Sequence, residues 1–421
     1  MVVELSDSLE GEAKAPPSKS YTHRAIILSG LARGTSKIND PLLSADPLAS
    51  MEAIRAGGAQ VRVGKGSLVI KGNDGVVKVP KKTVDVENSG TTIRIMTSVF
   101  SLCDKEVVLT GDESIRKRPM QPLLDALSQI GVETTSTNGN PPVSVKGPMK
   151  GGICRIRGDV SSQYISGLLI SCPLAKKDTT VEITTELRSR PYLDLTLDQL
   201  RRFGGRIDNQ DYKRFMIKGN QSYKATDYTV EGDYSGAAFI LAAAALIDSK
   251  VMVRNLFKDS KQGDKKIIEI LRKMGADLKV GKDSVAVKGG SPLSGIEVDL
   301  SQTPDLLPIM SVLGSLAQGK TIIRNVEHAR IKECDRIDAM AKGLTKMGAR
   351  LKEKRDGFEI DGVDSLSGAE VQAFNDHRIV MALAVAGLRA KGKTVIDSAE
   401  SVAVSFPNFL EVMKTLGANI S

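Results

Sequence analysis

Residues 15 to 25 read APPSKSYTHRA, and the apolar run AIILSGLA follows. Lys19 and Arg24 flank Ser20, Thr22 and His23. A helix start needs one capping side chain to accept from its free backbone N–H groups. Two cations at the same place oppose the helix dipole. An anion between them resolves the conflict, because a helix N-terminus with Arg or Lys beside it is a site for phosphate or carboxylate. Five further stretches concentrate polar groups just ahead of apolar runs: ENSGTTIR (87–94), GDVSSQY (158–164), GDYSGAA (232–238), QTPDLLP (302–308) and FNDHRIV (374–380). Capping accounts for Ser89, Asp233 and Asp376, but not for Lys19, Arg24, Arg94 and Arg378. More cations stand in the loops GDESIRKRPM (Arg116, Lys117, Arg118), ELRSRPYLD (Arg188, Arg190) and HARIKECDRI (Arg330, Lys332, Arg336). Lys117 and Arg330 read equally well as solvated charge. Asp305 and Glu333 are carboxylates set among these cations, a placement suited to proton transfer. No P-loop, dinucleotide fingerprint, HExxH or nucleophile elbow occurs. The chemistry these residues support is the positioning of small, highly anionic molecules.

The elements that must hold these residues repeat. Six segments end an amphipathic helix on Gly and then start a strand: IRAGGAQV, LSQIGVET, LRRFGGRI, LRKMGADL, LTKMGARL and MKTLGANI. The glycines are Gly58, Gly131, Gly204, Gly275, Gly348 and Gly417, spaced 69 to 73 residues apart. One such glycine is an ordinary helix terminator. Six at near-constant spacing mean a repeat architecture. Ahead of each lies a helix that is apolar nearly all round, from AIILSGLA to IVMALAVAGL, which calls for burial on every side. An alternating hairpin follows the first five glycines. The expected fold is α/β: two similar domains of three strand–helix–strand–helix–hairpin units each, with the apolar helices buried at the centre. The sixth unit stops at GANIS without its hairpin, and MVVELSDSLEGEAK can supply the missing strands. That predicts a discontinuous domain of residues 1–13 with 226–421, and an inserted domain of residues 14–225.

Composition narrows the function classes. The chain has 421 residues and a formal charge of +9, with 4% aromatic residues and no Trp. Basic residues interleaved with stacking aromatics are absent, so the charge fits small acidic ligands better than nucleic acid. Four cysteines, Cys103, Cys154, Cys172 and Cys334, form no CxxC pair or metal-ligand spacing, as expected of thiols in a reducing compartment. The N-terminal residues show no export signal and no apolar run approaches the length of a membrane span, so a cytoplasmic protein without a membrane partner is expected.

Taken in order, PSKSYTHR, NSGTTIR, RKRP, DVSSQY, SRPY, PDLLP, IKECDR and NDHR resemble the 5-enolpyruvylshikimate-3-phosphate (EPSP) synthase family along the whole chain. The resemblance implies two domains of three βαβαββ units, an inside-out α/β barrel architecture, with the active site in the cleft between them. It implies transfer of the enolpyruvyl group of phosphoenolpyruvate to the 5-hydroxyl of shikimate-3-phosphate, with no cofactor or metal, by a monomer with no nucleic-acid partner. Lys19, Ser20, Arg24, Ser161, Ser162, Gln163, Ser189, Asp305 and Lys332 would bind shikimate-3-phosphate, with Tyr192 lining the pocket. Lys19, Gly90, Arg118, Gln163, Arg336 and Arg378 would bind phosphoenolpyruvate, for which glyphosate would compete at Gly90, Arg118 and Arg378. Asp305, Glu333 and Lys19 would move the protons. Three positions depart from the best-known bacterial pattern: His328 stands for Asn, Val404 for Lys and Ile95 for Pro. A related transferase acting on UDP-N-acetylglucosamine would want Asn after the opening Lys and a Cys in the loop that here reads DESIRKRP. An RNA-end cyclase would carry a nucleotide-linked His near the C-terminus. A non-enzymatic anion or RNA scaffold would gather its cations on one face instead of at helix starts.

Overall fold

The computed structural model describes residues 1–421, and the chain divides into two compact units. One is Pro17–Val230; the other is Met1–Pro16 with Glu231–Ser421. The crossings therefore fall after Pro16 and Val230, where the sequence had placed them after residues 13 and 225. Strand pairing explains the shift. Ser8–Lys14 pairs along its whole length with Asp248–Arg254, and Ala15 N then donates to Arg254 O. Tyr228–Thr229 pairs with Ile38–Asn39, so the chain leaves the 17–230 unit only after that strand.

Six helices carry the apolar runs: α1 (Lys19–Leu31), α2 (Gly90–Phe100), α3 (Ser162–Ser171), α4 (Tyr234–Leu246), α5 (Leu307–Leu316) and α6 (His377–Gly387). Nearly every residue of each is buried, Ser and Thr included. Their Ala, Leu, Ile and Met content suits a helix with no solvent face. Several of the interior hydroxyls bond the preceding turn, as Thr97 Oγ1 does to Ile93 O at 2.6 Å and Ser311 Oγ to Leu307 O at 2.9 Å. In the 17–230 unit α2 packs on α3. Gly167 permits the approach: a Cβ there would lie 2.7 Å from Ser98 Oγ and 3.0 Å from Arg94 O. Ile95 continues α2 without a break.

Sheets enclose these helices. The 17–230 unit has three four-stranded sheets, in each of which one outer strand runs parallel to the next and a hairpin completes the other side. The other unit has two such sheets, a three-stranded sheet (Val2–Val3, Thr394–Ile396, Glu370–Val371) and a two-stranded one. The six glycines that end the amphipathic helices all have positive φ, from 83° to 100°, a region open to Gly at no steric cost.

The N-terminal strands corrected one expectation. Val2–Val3 joins the sixth repeat, antiparallel to Thr394–Val395, and Glu4 N and Ser6 N bond on to Asn419 O and Leu388 O. Ser8–Lys14 instead forms the parallel outer strand of the fourth repeat, with Leu9 and Ala13 on the buried face. The strand just before α4, Tyr228–Thr229, likewise serves the first repeat. Each crossing thus hands its strand to the unit the chain is leaving.

Candidate active site

Within residues 17–230, Lys19 and Arg24 stand in the first turns of α1, Arg94 stands in the second turn of α2, and Arg118 lies against the first residue of α2. Arg24, one turn into α1, is 1% exposed and forms no ion pair. Its Nε donates to Thr196 Oγ1 (2.8 Å), Nη1 to Ser20 O (2.9 Å), and Nη2 to Tyr192 O (3.1 Å) and Ser166 Oγ (3.3 Å). Burial with only neutral partners pulls its guanidinium down to about 10. Lys19 lies 2.8 Å from Asp46, which also meets His23 Nε2 at 3.2 Å and accepts from Ser89 Oγ. Burial alone would raise the Asp46 carboxyl, but Lys19 and His23 outweigh it and hold the group far below the usual range. His23 shares a 2.8 Å bond with Ser50, and Ser50 one of 2.7 Å with Thr92.

Ser89 caps α2, accepting from Thr92 N, and Gly90 follows it. The Arg118 guanidinium rests directly against Gly90, so that a Cβ there would collide with Nη1. Arg118 is 7% exposed and forms no ion pair; Nη2 donates to Ser114 Oγ at 3.3 Å and Nε has no partner. Arg94 Nη1 donates to Gln163 Oε1 at 2.6 Å and its guanidinium stacks 5.5 Å above the Tyr164 ring. Gln163 Nε2 donates on to Thr91. Ser161 caps α3, Ser162 begins it, and both stand at a helix N-terminus suited to phosphate. Ser189, buried ahead of the helix Arg190–Arg202, has φ 58° and ψ 40°, a left-handed conformation that a non-glycine residue adopts only when its surroundings impose it.

Within the other unit, Arg336 gathers three carboxylates. Its Nε donates to Asp376 (2.7 Å), Nη1 to Asp305 (2.8 Å) and Nη2 to Glu333 (2.6 Å). Burial would lower the guanidinium, but Asp376, Glu333 and Asp305 hold it charged. Arg378 Nη2 reaches the other oxygen of Asp305 at 2.9 Å, and Lys332 Nζ approaches at 3.8 Å. Burial pushes the Asp305 carboxyl up, yet Arg378, Lys332 and Arg336 prevail and keep it ionised well below the ordinary range. The turn Pro304–Leu306 presents Asp305, the cap of α6 presents Asp376 and Arg378, and the segment before Arg336–Lys346 presents Lys332 and Glu333.

The structure thus brings Asp305, Lys332, Glu333, Arg336 and Arg378 into one network. In the 17–230 unit it links Gln163 to Arg94, seats Arg118 on Gly90, and joins Lys19 through Asp46 to the cap before Gly90. Lys117 and Arg330 lie elsewhere: Lys117 pairs with exposed Glu113, and Arg330 with Asp335 and Glu353. His328 is buried in the turn Glu327–Ile331, and Val404 ends the turn Ala399–Val404. Two participants went unassigned from sequence. Asp46, in LLSADPLAS, resembles any acidic residue in a first helical turn. Asp376 has the type and place of a cap, and it is one, bonding Arg378 N at 2.9 Å while also holding Arg336.

A profile of the family described as EPSP synthase (3-phosphoshikimate 1-carboxyvinyltransferase) matches residues 3–413. The 3-phosphoshikimate 1-carboxyvinyltransferase of Methanocaldococcus jannaschii is 51% identical over 426 residues, covering 100% of this chain and 99% of that protein. The Methanosarcina mazei protein of the same name is 48% identical over 420 residues, covering 98% and 97%. A solved structure of EPSP synthase from Acinetobacter baumannii superposes with a TM-score of 0.85 at 30% identity, covering 100% of this chain and 98% of that one. The chain belongs to the EPSP synthase (3-phosphoshikimate 1-carboxyvinyltransferase) family.

Proposed function

We propose that this protein transfers the enolpyruvyl group of phosphoenolpyruvate to the 5-hydroxyl of shikimate-3-phosphate and releases inorganic phosphate. The observation that carries the reading is Arg118, a buried guanidinium with no protein anion, resting on the one residue of α2 that lacks a side chain. A buried charge without a partner is costly, and an anionic substrate removes the cost. Arg24, equally buried and unpaired, gives shikimate-3-phosphate a cation beside Ser20, and Ser161, Ser162 and Ser189 offer hydroxyls for its phosphate. Lys19 and Gln163 touch both substrates, and Arg336 and Arg378 take phosphoenolpyruvate with Arg118.

The chemistry is addition followed by elimination. Asp305 accepts the proton of the 5-hydroxyl as that oxygen adds to C2 of phosphoenolpyruvate, and Glu333 or Lys19 delivers a proton to C3. C3 then gives up a proton as the C2–O bond to phosphate breaks, restoring the double bond and expelling inorganic phosphate. Asp305 is paired with Arg336, Arg378 and Lys332, which makes it a weak base. Substrate anions that draw Arg336 and Arg378 toward themselves leave Asp305 more basic at the moment it is needed. The same cations stabilise charge moving onto the departing phosphate. On this reading the protein works as a cytoplasmic monomer on two small-molecule substrates, without nucleic-acid or membrane partners. In a phosphate-release assay with phosphoenolpyruvate, shikimate-3-phosphate triggers release and UDP-N-acetylglucosamine does not. Release with the nucleotide sugar alone would overturn the assignment.

A further inference from the structure

The unit containing Asp305 holds a buried carboxylate that the chemistry above does not use. Asp264 lies in the turn Gly263–Lys265, just ahead of the helix Lys266–Lys273, and is 4% exposed. Ser235, the second residue of α4, donates its hydroxyl to Asp264 Oδ2, while Oδ1 is buried with no hydrogen-bond partner. Charged groups reach it from three directions: Asp305 from the turn Pro304–Leu306, Arg378 from the start of α6, and Asp233 from the cap of α4. Asp233 is occupied in part by Gly236 N at 2.9 Å. Lys265, on the same turn, points its ammonium to Lys258 O and Ser260 O, and Glu231 is taken by Ser260 and Gln262. Asp264 and Asp305 therefore draw on Arg378 together, and Arg378 is committed to Asp305 at 2.9 Å. Burial foremost, then the nearby Asp305, pushes the Asp264 carboxyl up to about 7 against the pull of Arg378 and the Ser235 hydroxyl.

We propose that Asp264 is a positioning residue of the transfer reaction, whose carboxyl takes up a proton when anionic substrate engages Arg378. An anion on Arg378 offsets the positive charge that Asp264 feels. The unpartnered Oδ1 is then left buried beside Asp305 and Asp233, where an uncompensated charge is expensive. Protonation removes that charge, and Arg378 is left to serve the substrate and Asp305 alone. The inference rests on the assignment of Arg378 to phosphoenolpyruvate.

Two measurements on the intact protein test it. The first compares wild type with Asp264→Asn for the pH dependence of kcat/KM for phosphoenolpyruvate, which cancels the substrate's own ionisation. Substrate that needs a protonated Asp264 meets it in only about one molecule in ten a unit above its pKa, so the wild-type to variant ratio is level below pH 6 and falls about tenfold by pH 8. Ser235→Ala removes a bond that favours the charged carboxylate, and moves the fall to higher pH. The second measurement uses no substrate. A carboxyl raised in the folded state loses stability for the protein as pH climbs from its unfolded pKa to its folded one. The melting temperature of Asp264→Asn therefore gains on wild type from about pH 4 to 7 and keeps a constant lead above that. A kcat/KM ratio flat from pH 6 to 8 overturns the proposal, as does a melting difference independent of pH. If wild type releases no phosphate from the two substrates, the transfer reading fails, and the melting comparison alone judges the ionisation of Asp264.

Discussion

Arg118 and Arg336 are both buried arginines, yet they are opposites in what surrounds them. Arg336 holds three carboxylates, whereas Arg118 has a serine hydroxyl and a glycine. Replacing Arg118 by Ala removes a charge-assisted bond worth about 1.5–3 kcal/mol, so KM for phosphoenolpyruvate rises about ten- to a hundred-fold while shikimate-3-phosphate affinity holds. Equal weakening of both substrates in steady-state and binding measurements would make Arg118 structural. Gly90→Ala drives a methyl into the same guanidinium, and raises KM for phosphoenolpyruvate and the inhibition constant of glyphosate together; an unchanged KM would refute the contact. Asp305→Asn lowers kcat by at least about a hundred-fold, the low end for losing a general base, with binding largely kept. Near wild-type turnover would move the proton to Glu333 or Lys332. These residues were legible because cations at helix starts break a physical rule and so stand out. Asp46 and Asp264 break none: an acidic residue near a helix start is what the helix dipole favours, and only burial in the folded chain reveals them.

At the scale of elements, Asp46 ties three helices. From the helix Ala45–Ala56 it meets Lys19 and His23 on α1 and the Ser89 cap of α2, fixing Lys19 relative to Gly90. Asp46→Asn takes the carboxylate away from Lys19 and His23, and breaking a buried pair in this way costs about 3–5 kcal/mol. The sign with pH follows from the depressed carboxyl. Its contribution is complete above the ordinary carboxylate pKa of about 4 and drains away as pH falls below that. Urea melts of the wild type from pH 6 to 2 show the loss, and the variant shows a shallower one. Parallel curves would mean that Asp46 contributes nothing as an ion. The repeat itself could be read in advance, since a glycine after each amphipathic helix and apolar residues on every side of the buried ones are local signals. Which strand completes which sheet was not. MVVELSDSLEGEAK alternates as any strand would, and nothing local in it distinguishes a partner at residues 394–396 from one at 248–254.

At the scale of the whole molecule, the strand exchange makes each unit depend on residues far away in sequence. Residues 231–421 lack the outer strand of their first sheet unless Ser8–Lys14 supplies it, and Val2–Val3 closes their last sheet against Thr394–Val395. Val3 and Leu9 are fully buried there, each worth about 1.5–3 kcal/mol of apolar burial, and the seven-residue parallel ladder is lost with them. Against a net stability of about 5–15 kcal/mol for a typical domain, that loss is large. The unit Pro17–Val230 draws the outer strand of its first sheet, Tyr228–Thr229, from within itself. Deleting residues 1–14 therefore exposes 231–421 to limited proteolysis and leaves a resistant core that mass spectrometry places within 17–230. A resistant fragment from 231–421 with the rest digested would mean that the N-terminal strands are ornamental to their sheets, and that the exchange at the crossings carries no stability.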